Sequence, residues 1–465
     1  MKFCERPFSY AYLAPNGEVW PCGWMHFTIG NLYEQNLDEI WHSEAAQTAR
    51  NSILDGSFAF CRKQSCPFCE RDELPDLSEE ELKEKAVPAD LPKDITIAND
   101  RMCNIACTSC RTCLLPIDKK EREQIDGALE RLVPFANKAE SLDMNGQGEF
   151  LANQSFLNFL GKLRPEHKNL KINFETNGTL FDEAHWDRFS HLGDYDLSVV
   201  VTLNSLKREV YRYLSGGFDY LNQELENLRF LSRLRREGKI KRLTVTMVVQ
   251  EVNCWEVPEV IRTFASEEEY AVDSIQMKPL YNWFNMDPET YWIKNILNPL
   301  HPYHKEYLKI LADDCWSDSK VYDWGCHNIR EAVPHPLEQE KIYNRLLLDI
   351  YQNNQSLSPV EYLRACAERA GAGRIGYYGK NDFSRKFVRM LQEAGIDVAF
   401  QLTWSKECDD EEIPKVAKQD FRPEMADAIL VIDFFKGRYW FTDLPALGFQ
   451  GPVLSVEQFI EGTDK

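Results

Sequence analysis

The sequence predicts an α/β chain whose central part is a parallel sheet wrapped by helices, closed or half-closed into a barrel. Two observations carry that expectation. From residue 94 to about 285, six short apolar runs alternate with stretches of helical periodicity; strands separated by helices are joined by right-handed crossovers and so lie parallel. The polar, glycine-bearing segments fall just after those runs, at the carboxyl ends of strands, where such sheets bind ligands.

Composition narrows the class. The chain has 465 residues, 43% hydrophobic and 28% charged, a globular composition long enough for about three domains. Lys and Arg number 54 against 74 Asp and Glu, a net charge of −20, which excludes a general nucleic-acid binder. The basic run from Arg233 to Arg242 closes an amphipathic stretch and reads as a solvated helix end. No run of about eighteen apolar residues is present, so no membrane span is expected. The start, MKFCERPFSY, lacks the apolar core of a secretory signal, and the expected compartment is the cytoplasm. Of 14 cysteines, five lie before residue 70 and four between Cys103 and Cys113. In a reducing compartment such clusters are metal ligands or catalysts rather than disulfides.

The elements follow in order. Residues 1–70 are a cysteine-rich module: strands at 8–14 and 18–21 joined by Pro15-Asn16-Gly17, a hairpin turn signal, then one helix over 37–54. Residues 71–93 are acidic, carry three prolines and read as a linker with an exposed helix. In 94–285 the strands are Ile95–Ala98, 141–145, Lys171–Thr176, 197–203, 242–249 and 274–280. Between them, Ile125, Ala128, Leu129, Leu132 and Val133 mark a helix by their spacing. Further helices are expected near 153–163, 181–190, 219–236 and 256–265. Residues 286–371 read as a helical or irregular connection. From 372 to 465 a smaller α/β alternation gives strands at 374–379, 397–402, 428–433 and 452–455.

Cys103, Cys107 and Cys110 follow the first of the six strands at the spacing C-x-x-x-C-x-x-C. Soft thiolates suit iron–sulfur clusters and zinc, but a structural zinc site wants four protein ligands. Three thiolates on a four-iron cube leave one iron open. After the second strand comes Gly146-Gln147-Gly148-Glu149, after the third Glu175-Thr176-Asn177-Gly178, after the fourth Asn204-Ser205, and after the fifth Gln250 and Asn253. This ordered set resembles the radical S-adenosylmethionine (SAM) superfamily, whose fold is a partial (β/α)6 TIM-like barrel. The resemblance implies a [4Fe-4S] cluster on the three cysteines. SAM would be held by Gly146, Gln147, Gly148, Glu149, Thr176, Asn177, Asn204 and Gln250. It also implies reductive cleavage of SAM, abstraction of hydrogen from an organic substrate, and an electron donor such as flavodoxin or ferredoxin. Ser109 stands where that family usually has an aromatic residue. Cys113 is read as a free thiol, and as the one weak candidate for a catalytic group.

The N-terminal module carries Cys4, Cys22, Cys61, Cys66 and Cys69. With Gly17-x-x-x-x-Cys22, Ile29-Gly30-Asn31 and the helix start at Leu37–Trp41, it resembles the SPASM auxiliary-cluster domain of radical SAM enzymes, set before the barrel instead of after it. The resemblance implies an auxiliary [4Fe-4S] cluster on Cys4, Cys22, Cys66 and either Cys61 or Cys69. Cys315 and Cys326 are the pair that could supply a second site. The C-terminal turn Gly379–Ser384 lacks G-x-G-x-x-G; the segment is similar to Rossmann-like tails of sugar-modifying enzymes. His301 and His304 lack an acidic partner and read as structural, and Trp283, Trp292, Trp316 and Trp324 as packing or pocket walls. The substrate is expected to be a small, sugar-like molecule or a peptide, transformed by oxidation, epimerisation or cross-linking. The competing reading is a non-catalytic zinc or iron–sulfur scaffold.

Overall fold

The computed structural model describes residues 1–25, 27–63, 66–70, 72–111, 113–145, 147–282, 286, 288–328, 350, 358–379, 382–404, 413–432 and 440–461. Gly146, Trp283, Lys380, Asn381 and Cys408, named or spanned in the sequence reading, lie outside them. The larger sheet has strands β1 (Tyr10–Leu13), β2 (Glu18–Trp20), β3 (Gly30–Asn31), β4 (Asp94–Ile97), β5 (Ser141–Met144), β6 (Lys171–Thr176), β7 (Asp196–Thr202), β8 (Arg242–Val249), β9 (Ser274–Pro279) and β10 (Val321–Asp323). Its order is β10-β9-β8-β7-β6-β5-β4-β1-β2-β3.

The six expected strands become β4 to β9, each within one or two residues. They are legible as short apolar runs between helical stretches, and β4 to β6 also alternate. Ile95, Leu142, Ile172 and Leu197 are in register on one face and buried. The other face carries Thr96, Asp143, Asn173 and Ser198 in register. Helices cover the apolar face. The helix Lys119–Ala136 starts at Asp118, whose side chain accepts from Glu121 N, and buries Ile125, Ala128, Leu129 and Leu132. The helix Gln154–Lys162 starts at Asn153 and buries Phe156, Leu157, Phe159 and Leu160. The carboxylates at the first start complement the helix dipole.

One expectation is corrected and two gain detail. The N-terminal module joins the larger sheet, because β1 pairs with β4 in parallel, Tyr10 opposite Asp94 and Leu13 opposite Ile97. The helix over 37–54 is two, Leu37–Trp41 and Glu44–Leu54. Ser43 caps the second, while the Trp41 carbonyl freed at the break takes a hydrogen bond from Arg50 Nη2 at 3.0 Å; the Arg50 guanidinium also stacks on the Trp41 ring. The stretch 71–93 holds the expected helix, Glu79–Lys85, but is bound to the module on both sides. Phe3 N donates to Pro75 O, Ala89 N to Phe8 O and Trp41 Nε1 to Ala89 O. Residues 286–371 add helices Pro288–Lys294, His304–Leu311 and Pro359–Arg369, and β10, which extends the sheet in parallel beside β9.

The second sheet holds β11 (Arg374–Tyr378), β12 (Asp397–Thr403), β13 (Lys415–Ala417), β14 (Ala428–Val431) and β15 (Val453–Ser455). They are parallel in the order β13-β12-β11-β14-β15, a doubly wound order, with one apolar cluster on each face. The strand β13 was not expected. His301 Nε2 donates to Ile293 O and its Nδ1 accepts from Tyr303 N, while His304 Nδ1 donates to Ile296 O; both hold backbone in place and are structural. Among the described residues no helix is long and apolar enough to cross a membrane.

Phe174 on β6 is fully buried against the rings of Phe150, Phe181 and Phe189. Phe174→Ala is expected to destabilise the larger sheet by about 3–5 kcal/mol, read as an earlier urea midpoint by circular dichroism.

Candidate functional site

The loops after β4, β5, β6 and β7 meet at one end of the sheet. The cysteine loop 99–113 is gripped from two sides by backbone. On one side Glu149 N donates to Met102 O at 2.7 Å. Gly148 lies so close that a Cβ there would stand 2.5 Å from Met102 O and 2.9 Å from Asp100 O. On the other, Ala106 N donates to Ser215 O and Thr108 N to Leu214 O. Gly216, at φ +74°, would put a Cβ 2.2 Å from Ala106 O. Only glycine allows these approaches. Asp100 ties the loop to the next helix start: its Oδ1 accepts from Met102 N and its Oδ2 from Asn153 Nδ2, both at 2.7 Å.

The three thiols sit inside this grip. Asn177 Nδ2 faces Cys103 Sγ at 3.7 Å and Asn204 Nδ2 faces Cys107 Sγ at 3.5 Å. Burial pushes the Cys103 thiol up and Cys107 to about 12, so binding a metal centre there releases protons. The Arg111 guanidinium reaches Cys110 Sγ at 3.5 Å and also donates to the carbonyls of Arg101 and Gln147, bracing the cysteine loop against the loop after β5. Lys294, buried, donates to Thr108 Oγ1 at 2.9 Å. Cys113 is exposed.

The other motif residues converge on Glu149, which is buried and accepts from Asn177 N at 2.7 Å and from Thr176 Oγ1 at 2.9 and 3.0 Å. Gln147 and Gly148 line a cavity of about 270 Å³ with Asp100 and Glu175. Gln250 is buried, with an Oε1 that has no hydrogen-bond partner among the described residues. Its N–H is held by Asn253, whose amide also donates to Asn204 O. Glu224, from the helix Leu221–Arg236, escaped the sequence reading. It is buried, accepts from Tyr211 OH at 2.7 Å, and burial pushes its carboxyl well above the usual carboxylate range. Its neighbour Asn227 donates to Gly178 O.

In the N-terminal module, Cys4, Cys22, Cys61, Cys66 and Cys69 line one cavity of about 350 Å³, with Arg6, Trp24, Phe58 and Phe68. Burial raises Cys4 to about 11 and lifts Cys22 and Cys61. A hydrogen bond between Cys66 and Cys69 holds Cys66 down and Cys69 up. Soft donors around an apolar cavity fit an iron–sulfur cluster. Cys315 and Cys326 are buried but stand among different neighbours, Cys315 near Asp313 and Arg262, Cys326 near Asp323 and Tyr307. Among the described residues no three His, Cys, Asp or Glu side chains are grouped for a single metal ion.

A polar seam runs from the N-terminal cysteine cavity across the larger sheet. The Arg6 guanidinium lies over the Tyr10 ring at 4.6 Å. Tyr10 OH donates to Thr96 Oγ1 at 2.8 Å, and Thr96 Oγ1 to Asp143 Oδ2 at 3.5 Å. The seam crosses from β1 through β4 to β5.

Burial raises the Glu149 carboxyl from 4.5 to about 7, against the opposing hydrogen bonds from Asn177 and Thr176. Since the folded value lies above the unfolded one, the stability this group contributes is complete below pH 4.5 and lost as pH rises through about 7. Metal-free protein is therefore expected to lose roughly 3 kcal/mol relative to Glu149→Gln across that window, read as diverging melting temperatures in a pH series.

Residues 4–71 match the SPASM family, an iron-sulfur cluster-binding domain. No curated protein matches the chain. Among solved structures the chain is similar to Streptococcus suis SuiB bound to S-adenosylmethionine, at 11% identity and a TM-score of 0.35 over 71% of this chain and 69% of that one. It is similar to SuiB bound to precursor peptide SuiA at 12% identity and a TM-score of 0.36, over 70% and 73%. Likeness at that level carries no argument about activity. The cysteine-lined cavity near the N-terminus thus belongs to a SPASM iron–sulfur cluster-binding domain.

Proposed function

We propose that the chain is a radical SAM enzyme with two iron–sulfur centres. The observation that carries the reading is the grip of the loops after β5, β6 and β7 on one three-cysteine loop, with Glu149 tied to Met102 and both asparagine amides turned to sulfur. Cys103, Cys107 and Cys110 would hold a [4Fe-4S] cluster, and Cys4, Cys22, Cys66 and one of Cys61 or Cys69 an auxiliary one. A four-iron cluster with SAM on its open iron supplies reductive cleavage of the sulfonium and hydrogen abstraction from substrate. The protein does the rest. Glu149, with Gln147 and Gly148 beside it, accepts from the SAM ammonium group. Thr176 and Asn177 fix the Glu149 carboxylate and, with Asn204, orient the cofactor. The unpaired Gln250 Oε1 offers an acceptor. Gly146 completes the loop after β5 in this reading.

The substrate would be a peptide or a sugar-like molecule, and the polar face of the larger sheet, which carries Asp143, Asn173 and Ser198 in register, is its proposed seat. Its net change would be oxidation, epimerisation or cross-linking, with electrons from a flavodoxin or ferredoxin in the cytoplasm.

Anaerobically reconstituted protein is expected to hold about eight irons and eight sulfides per chain, as two four-iron clusters require. It should convert SAM to 5′-deoxyadenosine under a strong reductant, as followed by chromatography. Cys107→Ala should abolish the product and leave about half of the iron. Zinc at one or two per chain with no cleavage would instead mean a metal scaffold. A second outcome tests the loop grip: Gly148→Ala should cut SAM affinity at least tenfold, measured by calorimetry, because its Cβ would drive the Glu149 loop off Met102.

A further inference from the structure

The C-terminal domain reaches the SPASM cavity from outside. Gln419 Oε1 accepts from Thr28 N at 3.0 Å. The guanidinium of Arg62, next in the chain to Cys61, lies over the Trp404 ring at 5.3 Å, and Trp404 stacks on buried Trp440 at 4.3 Å. The Lys418 ammonium lies over the same indole at 5.9 Å and pairs with Asp443 at 2.9 Å, the two side chains 6% and 5% exposed.

A buried ion pair must overcome desolvation that an apolar contact would avoid, so packing alone gives no reason to put one here. Its position gives one. A cluster held by thiolates is an anion whose charge grows on reduction; a nearby cation favours the reduced form and a nearby anion opposes it. In a buried setting solvent screens neither. We infer that the C-terminal domain is an electrostatic cover for the SPASM cluster, with Lys418, held by Asp443, as a residue that raises the cluster's reduction potential in addition to Arg6 and Arg62. This rests on the SPASM domain and not on the radical SAM reading.

The test is an EPR-monitored redox titration of the full-length, anaerobically reconstituted protein carrying Cys103→Ala, Cys107→Ala and Cys110→Ala, so that only the auxiliary signal remains. Lys418→Met should move the midpoint to lower potential. Asp443→Asn should move it to higher potential, and the double variant should fall between them. Opposite shifts are a result that a merely structural contact would not produce. Unchanged midpoints, or shifts of one sign in both single variants, would overturn the inference. Where Lys418→Met costs the cluster itself, Asp443→Asn decides alone. Absence of iron from the triple-alanine protein would overturn the inference together with the auxiliary cluster, while SAM cleavage by the wild type stands or falls on its own assay.

Discussion

The site depends on close backbone contact around the cysteine loop. Thiols can be set at a given spacing by sequence alone, but a loop of that length has no rigidity of its own. Here it borrows rigidity from the carbonyl of Met102, taken by Glu149 N, and from the amides of Ala106 and Thr108, which bond the turn after Leu214. Gly148 and Gly216 are two points where neighbouring chain lies so close to that loop that a Cβ would collide with it. Side chains then finish what the backbone starts: Asp100 links the loop to a helix start, and Arg111 and Lys294 brace its two ends. Preorganisation of this sort serves either a cluster or its cofactor, because neither then has to order the chain that holds it.

How much of this could be read beforehand follows from how local each feature is. The strands β4 to β9 were legible as short apolar runs between helical stretches, and β4 to β6 also alternate, with one apolar and one polar face. The order of the motifs was legible because each follows its strand directly. The break between Trp41 and Ser43 was not, since it turns on Arg50 reaching back to a freed carbonyl. Lys294 finds Thr108 across 186 residues, a separation at which no pattern in the chain links them. Glu224 looked like any solvated acid on a helix; the helix turns it inward to meet Tyr211.

The C-terminal domain shows the same limit. Its alternation of strands and helices was plain, and its lack of a glycine-rich phosphate turn was plain too. Neither says which side of it meets the rest of the protein. That comes from Gln419, Lys418 and Trp404, all at or beyond the ends of β12 and β13, which turn toward Thr28 and Arg62.

The pairing of β1 with β4 has a consequence of its own. Cys4 and Cys22 flank the hairpin that begins with β1, and Cys103 follows β4, so neighbouring strands about 4.8 Å apart lie between the two sulfur-bearing regions. The ladder from Tyr10–Asp94 to Leu13–Ile97 is a ruler. It builds the two regions into one sheet, so their spacing is set when that sheet forms.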